Sequence, residues 1–278
     1  MKLPRILFAL MIISVCLTTV PRRSGAQTAQ SPRLYAQMLK SEQTTFVAEQ
    51  ARRIARQTSG KDYEFTAGFE AEIQKAVDFY VRRIGGSKGD HLGKGDMRFV
   101  LERGQAVAPA LIRIFKARNV SPLIGLYIPF IESEYVNIAS PNAQGAVGMF
   151  QFLPQTGEKF GLSGDELLDV EKSADAAARY IAGGLKRFKA DGMKEALALL
   201  AYNRGASAVE QDVAALVNQE NRACSICALT EQREKLDQTF QSESVRYVPS
   251  FFAAAIIGEN PQAFGLATQP LSSCEAKP

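Results

Sequence analysis

The sequence has little of what many enzymes use for catalysis, since its 278 residues include one histidine, no tryptophan and four cysteines. A Ser-His-Asp triad would depend on His91, and a metal site built from several histidines is impossible. We therefore expect no metal and no other cofactor. The formal net charge of +4 equals the four cations of the first 26 residues, where no acidic residue occurs. The remaining chain is neutral overall, which argues against binding of nucleic acid through net charge.

The N-terminal residues have the pattern of a secretory signal. Lys2 and Arg5 accompany an apolar run from Ile6 to Val20, and small residues follow at 24–26. A retained membrane anchor is the weaker alternative, because the run is shorter than the ~20 residues that span a bilayer. We expect residues 1–26 to be removed, leaving a periplasmic protein with no stable membrane span.

Export would place the cysteines in an oxidising compartment, where disulfides persist. Cys224 and Cys227 form a C-x-x-C pair, and Cys274 lies near the end of the sequence. A redox or metal motif is the alternative, but it needs a strand-to-helix context or further ligands that the chain does not supply. We expect a disulfide that is either local to the C-x-x-C pair or involves Cys274.

Apolar residues recur with helical spacing through most of the chain, and no long segment alternates as a strand would, which predicts an all-α protein. The glycine-rich stretch 85–95 is not a phosphate-binding loop, because Lys94 is followed by Gly95 rather than Ser or Thr. We divide the chain into a signal peptide at 1–26, a helical N-terminal segment at 27–95 and a main domain at 96–278. The clearest helical faces are formed by Phe69, Ile73, Val77 and Tyr80, by Val100, Val107, Leu111 and Ile114, and by Ala177, Ile181, Leu185 and Phe188.

One carboxyl group stands at the end of a strongly apolar helix. Ser121 can cap this helix and Pro122 suits its first turn. Glu132 follows an apolar face, and burial there would disfavour its charged form, so we expect its pKa to be raised. It would then hold a proton near neutral pH and donate it. The alternative is an ordinary helix-end carboxylate in water, and Glu134 would point to another side of the helix.

Three further motifs follow in the sequence. A turn-rich stretch at 140–148 leads into Met149-Phe150-Gln151-Phe152, and later come Ala201-Tyr202-Asn203-Arg204 and Glu243-Ser244-Val245-Arg246-Tyr247-Val248-Pro249. A buried amide at Gln151 would need hydrogen-bond partners, which a sugar can supply. The aromatic residues are equally explained as core. Glu243 has two interpretations, as a helix cap or as a substrate contact.

Together and in this order, the motifs resemble those of lytic transglycosylases of the soluble type, similar to glycoside hydrolase family 23, over roughly residues 95–266. The pattern is most similar to the catalytic domain of membrane-bound lytic transglycosylase D. The resemblance implies a lysozyme-like catalytic domain that acts on peptidoglycan glycan strands. It implies that Glu132 is the catalytic residue and that the sugar is bound or positioned by Ser133, Gln151, Tyr202, Asn203 and Glu243.

The resemblance also implies a mechanism in which one Glu cleaves the MurNAc-GlcNAc β-1,4 bond. Glu132 would protonate the leaving oxygen and then take the proton of the C6 hydroxyl, which closes a 1,6-anhydro ring. The alternatives are a muramidase that uses water, a non-catalytic peptidoglycan-binding module, and an enzyme that opens the wall for a secretion machine. Two positions depart from the family: Phe150 stands where many relatives have Trp, and Arg204 predicts a more basic rim of the groove.

Overall fold

A computed structural model of the protein describes residues 33–86 and 95–274. Those ranges contain no β-strand, only an isolated antiparallel bridge between Val147 and Phe152, so the all-α prediction is confirmed. The predicted signal sequence and His91 lie outside the described residues. The α-helices are α1 (Lys40–Ser59), α2 (Ala67–Val81), α3 (Met97–Ala117), α4 (Pro122–Ser133), α5 (Pro154–Glu158), α6 (Val170–Arg187), α7 (Lys194–Arg204), α8 (Ala206–Leu216), α9 (Ser225–Glu231), α10 (Gln238–Ser242) and α11 (Tyr247–Glu259).

The three helical faces read from apolar spacing coincide with α2, α3 and α6, so these helices are confirmed. Pro122 is the first residue of α4, as predicted. The cap at Ser121 was predicted wrongly, because its side chain accepts no hydrogen bond from the helix. Its hydroxyl instead donates to the carbonyl oxygen of Gln57 at 3.3 Å, which ties the start of α4 to α1.

Helix α11 lies at the centre of the core. It is apolar on all sides and all its residues except Ser250 are buried, as expected of a helix that other helices surround. It packs against α1, α2, α4 and α7. Despite this apolar character, neither α11 nor another helix in the described ranges combines the length and hydropathy needed to cross a membrane.

The first two helices pack on this same central helix. α2 lies along α11 and also contacts α9, where the hydroxyl of Thr66, just before α2, donates to Glu231 at 2.5 Å. The described residues 33–86 and 95–274 accordingly belong to one unit by their contacts. The boundary placed near residue 95 adjoins residues 87–94, which are outside the described ranges, and it stays a prediction.

The C-x-x-C pair forms a disulfide, Cys224–Cys227, at the start of α9. Cys274 is a free, half-buried thiol. Of the two pairings that the sequence left open, the local one is therefore confirmed. The sulfur of Cys227 also accepts a hydrogen bond from the backbone amide of Thr66 at 3.4 Å, so the disulfide lies where α9 meets the segment before α2.

Candidate active site

The site is built at the carboxyl end of α4, where the helix stops abruptly. Glu134 and Tyr135 both have left-handed backbone angles, with φ of 52° and 62°. The amide of Glu134 bonds to the carbonyl of Phe130, and that of Tyr135 bonds to Pro129, so two of the last helical carbonyls are satisfied. Consecutive non-glycine residues in this conformation are strained, and such strain is typical of functional sites. The turn fixes Glu132, which is half-buried, at the end of a helix whose residues 123–130 are all buried.

The carboxyl group of Glu132 is half-buried and has one hydrogen-bonding protein partner. The hydroxyl of Tyr247 donates to its Oε1 at 2.6 Å. Burial raises the pKa of Glu132 to about 7, and the Tyr247 hydrogen bond opposes that rise because it favours the charged form. This direction agrees with the raised pKa that the apolar helix predicts. Within the described ranges, no second carboxylate contributes to the shift.

Tyr247 is a site residue that the sequence analysis did not single out. It begins α11, is buried, and comes from a segment more than a hundred residues beyond Glu132. Burial and the nearby charge of Glu132 raise the pKa of its phenol well above the ordinary value, so it is a donor at all physiological pH values. The signal that could have found Tyr247 is the motif Glu243-Ser244-Val245-Arg246-Tyr247-Val248-Pro249, in which only the glutamate was interpreted as a site residue.

Tyr202 lies close enough to Glu132 for the two groups to interact electrostatically. Burial and the Glu132 charge raise the pKa of the Tyr202 phenol. Its hydroxyl donates to the carbonyl of Phe150 at 2.9 Å, and its ring packs on Phe152 at 5.8 Å and on Tyr180 at 5.2 Å. The structure therefore brings Glu132, Tyr202 and Tyr247 together, as expected for the first two.

Ser133 was expected to bind sugar, but its side chain is fully buried. Its hydroxyl is within donor distance of the carbonyls of Met149 at 2.7 Å and Pro129 at 3.2 Å. Ser133 thus ties the end of α4 to the loop that carries Gln151. In this structure it supports the cleft from behind rather than lining it.

The loop before α5 places Gln151 in the same cleft as Tyr202. Gly148 has a φ of +79°, and a side chain there would collide with the carbonyl oxygen of Leu167. Gln151 itself has a left-handed φ of 48°. Its amide nitrogen donates to the carbonyl of Gly148 at 2.7 Å, and its amide oxygen is 3.4 Å from the amide nitrogen of Asn142. The loop therefore supplies some of the hydrogen-bond partners of the Gln151 side chain that were expected to come from a bound sugar.

A cleft of about 230 Å³ opens at this loop, and we call it the Gln151 cleft. Three of the predicted sugar contacts, Gln151, Tyr202 and Asn203, line it together. Asn203 is exposed, and its side-chain oxygen accepts a hydrogen bond from the hydroxyl of Ser244 at 2.7 Å. This bond joins the end of α7 to the turn that precedes Tyr247. The remaining lining residues are Phe152, Leu153, Thr156, Tyr180, Arg204 and Gly205.

Arg204 does not make the rim of the cleft more basic, so this prediction was wrong. Its side chain is only 6% exposed and forms ion pairs with Asp212 and Asp237. These carboxylates raise the pKa of the guanidinium and neutralise its charge. The guanidinium also lies over the ring of Phe240 at 5.3 Å. Its function is to hold α7, α8 and the start of α10 together.

Glu243 is exposed and precedes the short turn that leads into α11. Its side chain makes no capping hydrogen bond, so the capping interpretation was wrong. Among the described residues, no hydrogen bond joins its carboxyl group to Glu132 or to the residues of the Gln151 cleft. Its contact with sugar stays a prediction.

Glu134 is the carboxyl group nearest to Glu132 in sequence, and it is buried in an ion pair. Its side chain is 2% exposed, and Arg83 at the end of α2 donates to its Oε2 at 2.8 Å. Phe150, which stands in place of a common Trp, is fully buried and stacks on Phe115 at 6.4 Å. Within the described ranges no three His, Cys, Asp or Glu side chains are grouped as metal ligands.

Residues 110–224 match the family model of the Transglycosylase SLT domain. The SLT match contains Glu132, Gln151, Tyr202 and Asn203, while Tyr247 and α2 lie outside it. It agrees with the soluble-type, lysozyme-like assignment made from the motifs.

Among solved structures, the chain is similar to an inactive mutant of lytic transglycosylase Slt from Pseudomonas aeruginosa, with 21% identity and a TM-score of 0.41. The similarity covers 58% of this chain and 25% of that one, so the chain spans about a quarter of its length. None of the curated proteins matches this chain.

Proposed function

We propose that this protein is a peptidoglycan lytic transglycosylase that cleaves the MurNAc-GlcNAc β-1,4 bond. The observation that carries the proposal is the carboxyl of Glu132, which has a pKa of about 7, accepts a hydrogen bond from Tyr247 and interacts electrostatically with Tyr202, a residue of the Gln151 cleft. The SLT match at residues 110–224 supports the same reaction class. The particular similarity to membrane-bound lytic transglycosylase D remains a prediction from the motifs. So do the periplasmic location and a partner in a cell-wall or secretion machine.

Glu132 serves in two steps of the proposed reaction. In its protonated form it donates to the glycosidic oxygen, which leaves with the proton. As a carboxylate it then accepts the proton of the muramic acid C6 hydroxyl, whose oxygen attacks the anomeric carbon and forms the 1,6-anhydro ring. The attack is intramolecular, so the nucleophile is already held near its target. The reaction consumes no water and needs no second carboxylate, unlike ordinary glycoside hydrolysis.

The residues around Glu132 take supporting parts in this proposal. Tyr247 positions the carboxyl group and stabilises its charged form between the two steps. Gln151, Tyr202 and Asn203 line the cleft in which the sugar binds. Ser133 fixes the loop that presents Gln151.

The proposal is tested by digesting purified sacculi in water enriched in oxygen-18 and weighing the products. A lytic transglycosylase releases fragments one water lighter than those of a muramidase, without oxygen-18. Reducing ends that carry oxygen-18 would instead identify a muramidase. Tight binding of sacculi with no product would identify a non-catalytic module.

The rate of the first step should fall as the pH rises above neutrality. The folded-state pKa of Glu132 is about 7, so the proton-donating form is lost by deprotonation through that pH. We expect the alkaline limb of the kcat/KM profile to have an apparent pKa near 7. An alkaline limb near pH 10, or none, would show that another group donates the proton.

Replacing Tyr247 by Phe tests its role as a positioning residue. The hydrogen bond lowers the pKa of Glu132, so its loss should raise that pKa and shift the alkaline limb to higher pH. We expect about a tenfold lower kcat, since one charge-assisted hydrogen bond is lost. Tyr63→Phe, which removes another buried, hydrogen-bonded phenol that neither lines the cleft nor bonds to Glu132, is the control. A reduced kcat with an unmoved pH profile would indicate a merely structural role.

A further inference from the structure

A second concave surface includes residues adjacent in sequence to the hydrogen-bonded residues Glu132 and Tyr247. It has a volume of about 540 Å³ and is enclosed by α2, the end of α4 and the start of α11. We call it the Phe79 groove. It is lined by Glu72, Lys75, Ala76, Phe79, Tyr80, Ile131, Glu134, Arg246, Pro249 and Ser250. None of these residues has a part in the proposed reaction.

The groove adjoins the reacting carboxyl. Ile131 and Arg246 line it, and they immediately precede Glu132 and Tyr247, which are joined by the 2.6 Å hydrogen bond. The Gln151 cleft is lined by none of the groove residues. Two separate surfaces are therefore available to a substrate bound at Glu132. Each surface can bind a chemically different part of that substrate.

The walls of the groove are apolar and firmly held. Phe79 is 45% exposed although it is a large hydrophobic side chain, and the Arg83 guanidinium lies 5.7 Å from the centroid of its ring, so part of the ring remains open to a ligand. Tyr80 is buried and packs on Phe130 of α4 with ring centroids 5.2 Å apart. The groove is therefore formed before a ligand arrives, which lowers the cost of binding.

Both carboxylates of the groove are paired with cations, whereas one guanidinium of the groove has no carboxylate partner among the described residues. Glu72 pairs with both Lys75 and Arg233, and Glu134 pairs with Arg83. Arg246 is exposed and has no carboxylate partner within the described ranges; its guanidinium donates to the backbone carbonyl of Ser242. An exposed apolar ring beside an uncompensated guanidinium is complementary to a ligand that combines small apolar groups with carboxylates.

We infer that the Phe79 groove binds the peptide branch of the glycan strand on which Glu132 acts. This inference rests on the proposed function. Such a branch is attached to the muramic acid and combines alanine methyl groups with free carboxylates, the two features that the groove complements. Arg246 binds a carboxylate, and the ring of Phe79 contacts the methyl groups. The N-terminal helix α2 lies outside the SLT match, and in this inference it forms the part of the enzyme that recognises the peptide.

The experiment compares intact sacculi with sacculi whose peptides an amidase has removed. For wild type, Arg246→Ala and Phe79→Ala, it measures the ratio of the kcat/KM values on the two substrates. We expect wild type to prefer peptide-bearing strands, and each variant to lower the ratio about three- to tenfold, the size of one partly exposed charged or apolar contact. Lys189→Ala, which removes an exposed cation away from the groove, is the matched control and should leave the ratio unchanged.

Binding of a free, carboxylate-bearing tetrapeptide to the same four proteins gives a second readout that needs no turnover. The inference is overturned if wild type shows no preference and no peptide binding, or if neither variant weakens them. A wild type that binds the tetrapeptide through Arg246 and Phe79 but releases no anhydro product would instead contradict the proposed reaction and leave the groove assigned. The two failures are thus distinguishable.

Discussion

Release of anhydro-muropeptides from sacculi should fall on the order of 10³-fold when Glu132 is replaced by Gln. The amide has the shape of the protonated acid and can still accept the hydrogen bond from Tyr247. It can neither donate a proton to the leaving oxygen nor accept one from the C6 hydroxyl, and a positioned acid or base contributes about 10²- to 10⁴-fold. The measurement is product yield against time by mass spectrometry.

The matched control for this substitution is Glu158→Gln, which removes an exposed carboxylate on α5, the helix that follows the Gln151 loop. It should retain nearly the full rate, because an exposed and unpaired carboxylate adds little. Glu132→Gln should also unfold at the same or higher urea concentration than wild type at pH 8. A Glu132→Gln protein that keeps more than about a tenth of the rate would remove Glu132 from the reaction.

Replacing Arg83 by Met should destabilise the fold by about 3 kcal/mol, because it leaves the buried carboxylate of Glu134 without its main partner. Arg83 also donates from Nε and Nη2 to the carbonyl of Gly95, at 2.9 and 2.6 Å. Arg103 also pairs with Glu134, but its Nη2 is 4.0 Å from the carboxylate, farther than the nearest nitrogen of Arg83 at 2.7 Å. The free energy of unfolding is measured in urea at pH 7.

Arg82→Met is the control for this loss, since Arg82 is the exposed neighbour of Arg83 at the end of α2. It should change the free energy of unfolding by less than about 0.5 kcal/mol. The double variant Arg83→Met, Glu134→Gln should recover part of the lost stability, because the glutamine at position 134 carries no charge that needs a partner. Equal stabilities of wild type and Arg83→Met would show that the ion pair does not hold the end of α4.

The helices were predictable because burial leaves a spacing in the sequence, as the faces of α2, α3 and α6 show. The raised pKa of Glu132 was predictable for the same reason, since its helix is apolar on every side. These properties are local, because each depends on residues within about a dozen positions of one another in the sequence.

Contacts between distant segments were not predictable from such patterns. Tyr247 reaches Glu132 only because α11 packs along α4, and the Phe79 groove exists only because α2 packs on α11. Arg204 was misjudged because its partners, Asp212 and Asp237, follow it by 8 and 33 residues. A single sequence does not show which carboxylates fold back onto a given guanidinium.

The measurement that tests the central claim most directly is the titration of the Glu132 carboxyl itself. Carbon-13 NMR of protein labelled at the glutamate side-chain carboxyl carbon, recorded from pH 3 to 9 for wild type and Glu132→Gln, identifies the resonance that the substitution removes. We predict that this resonance titrates with a pKa of about 7, above the ordinary 4.5 of a glutamate. A missing resonance that titrates at or below 4.5 would contradict the account, because Glu132 would then carry no proton to donate near neutral pH.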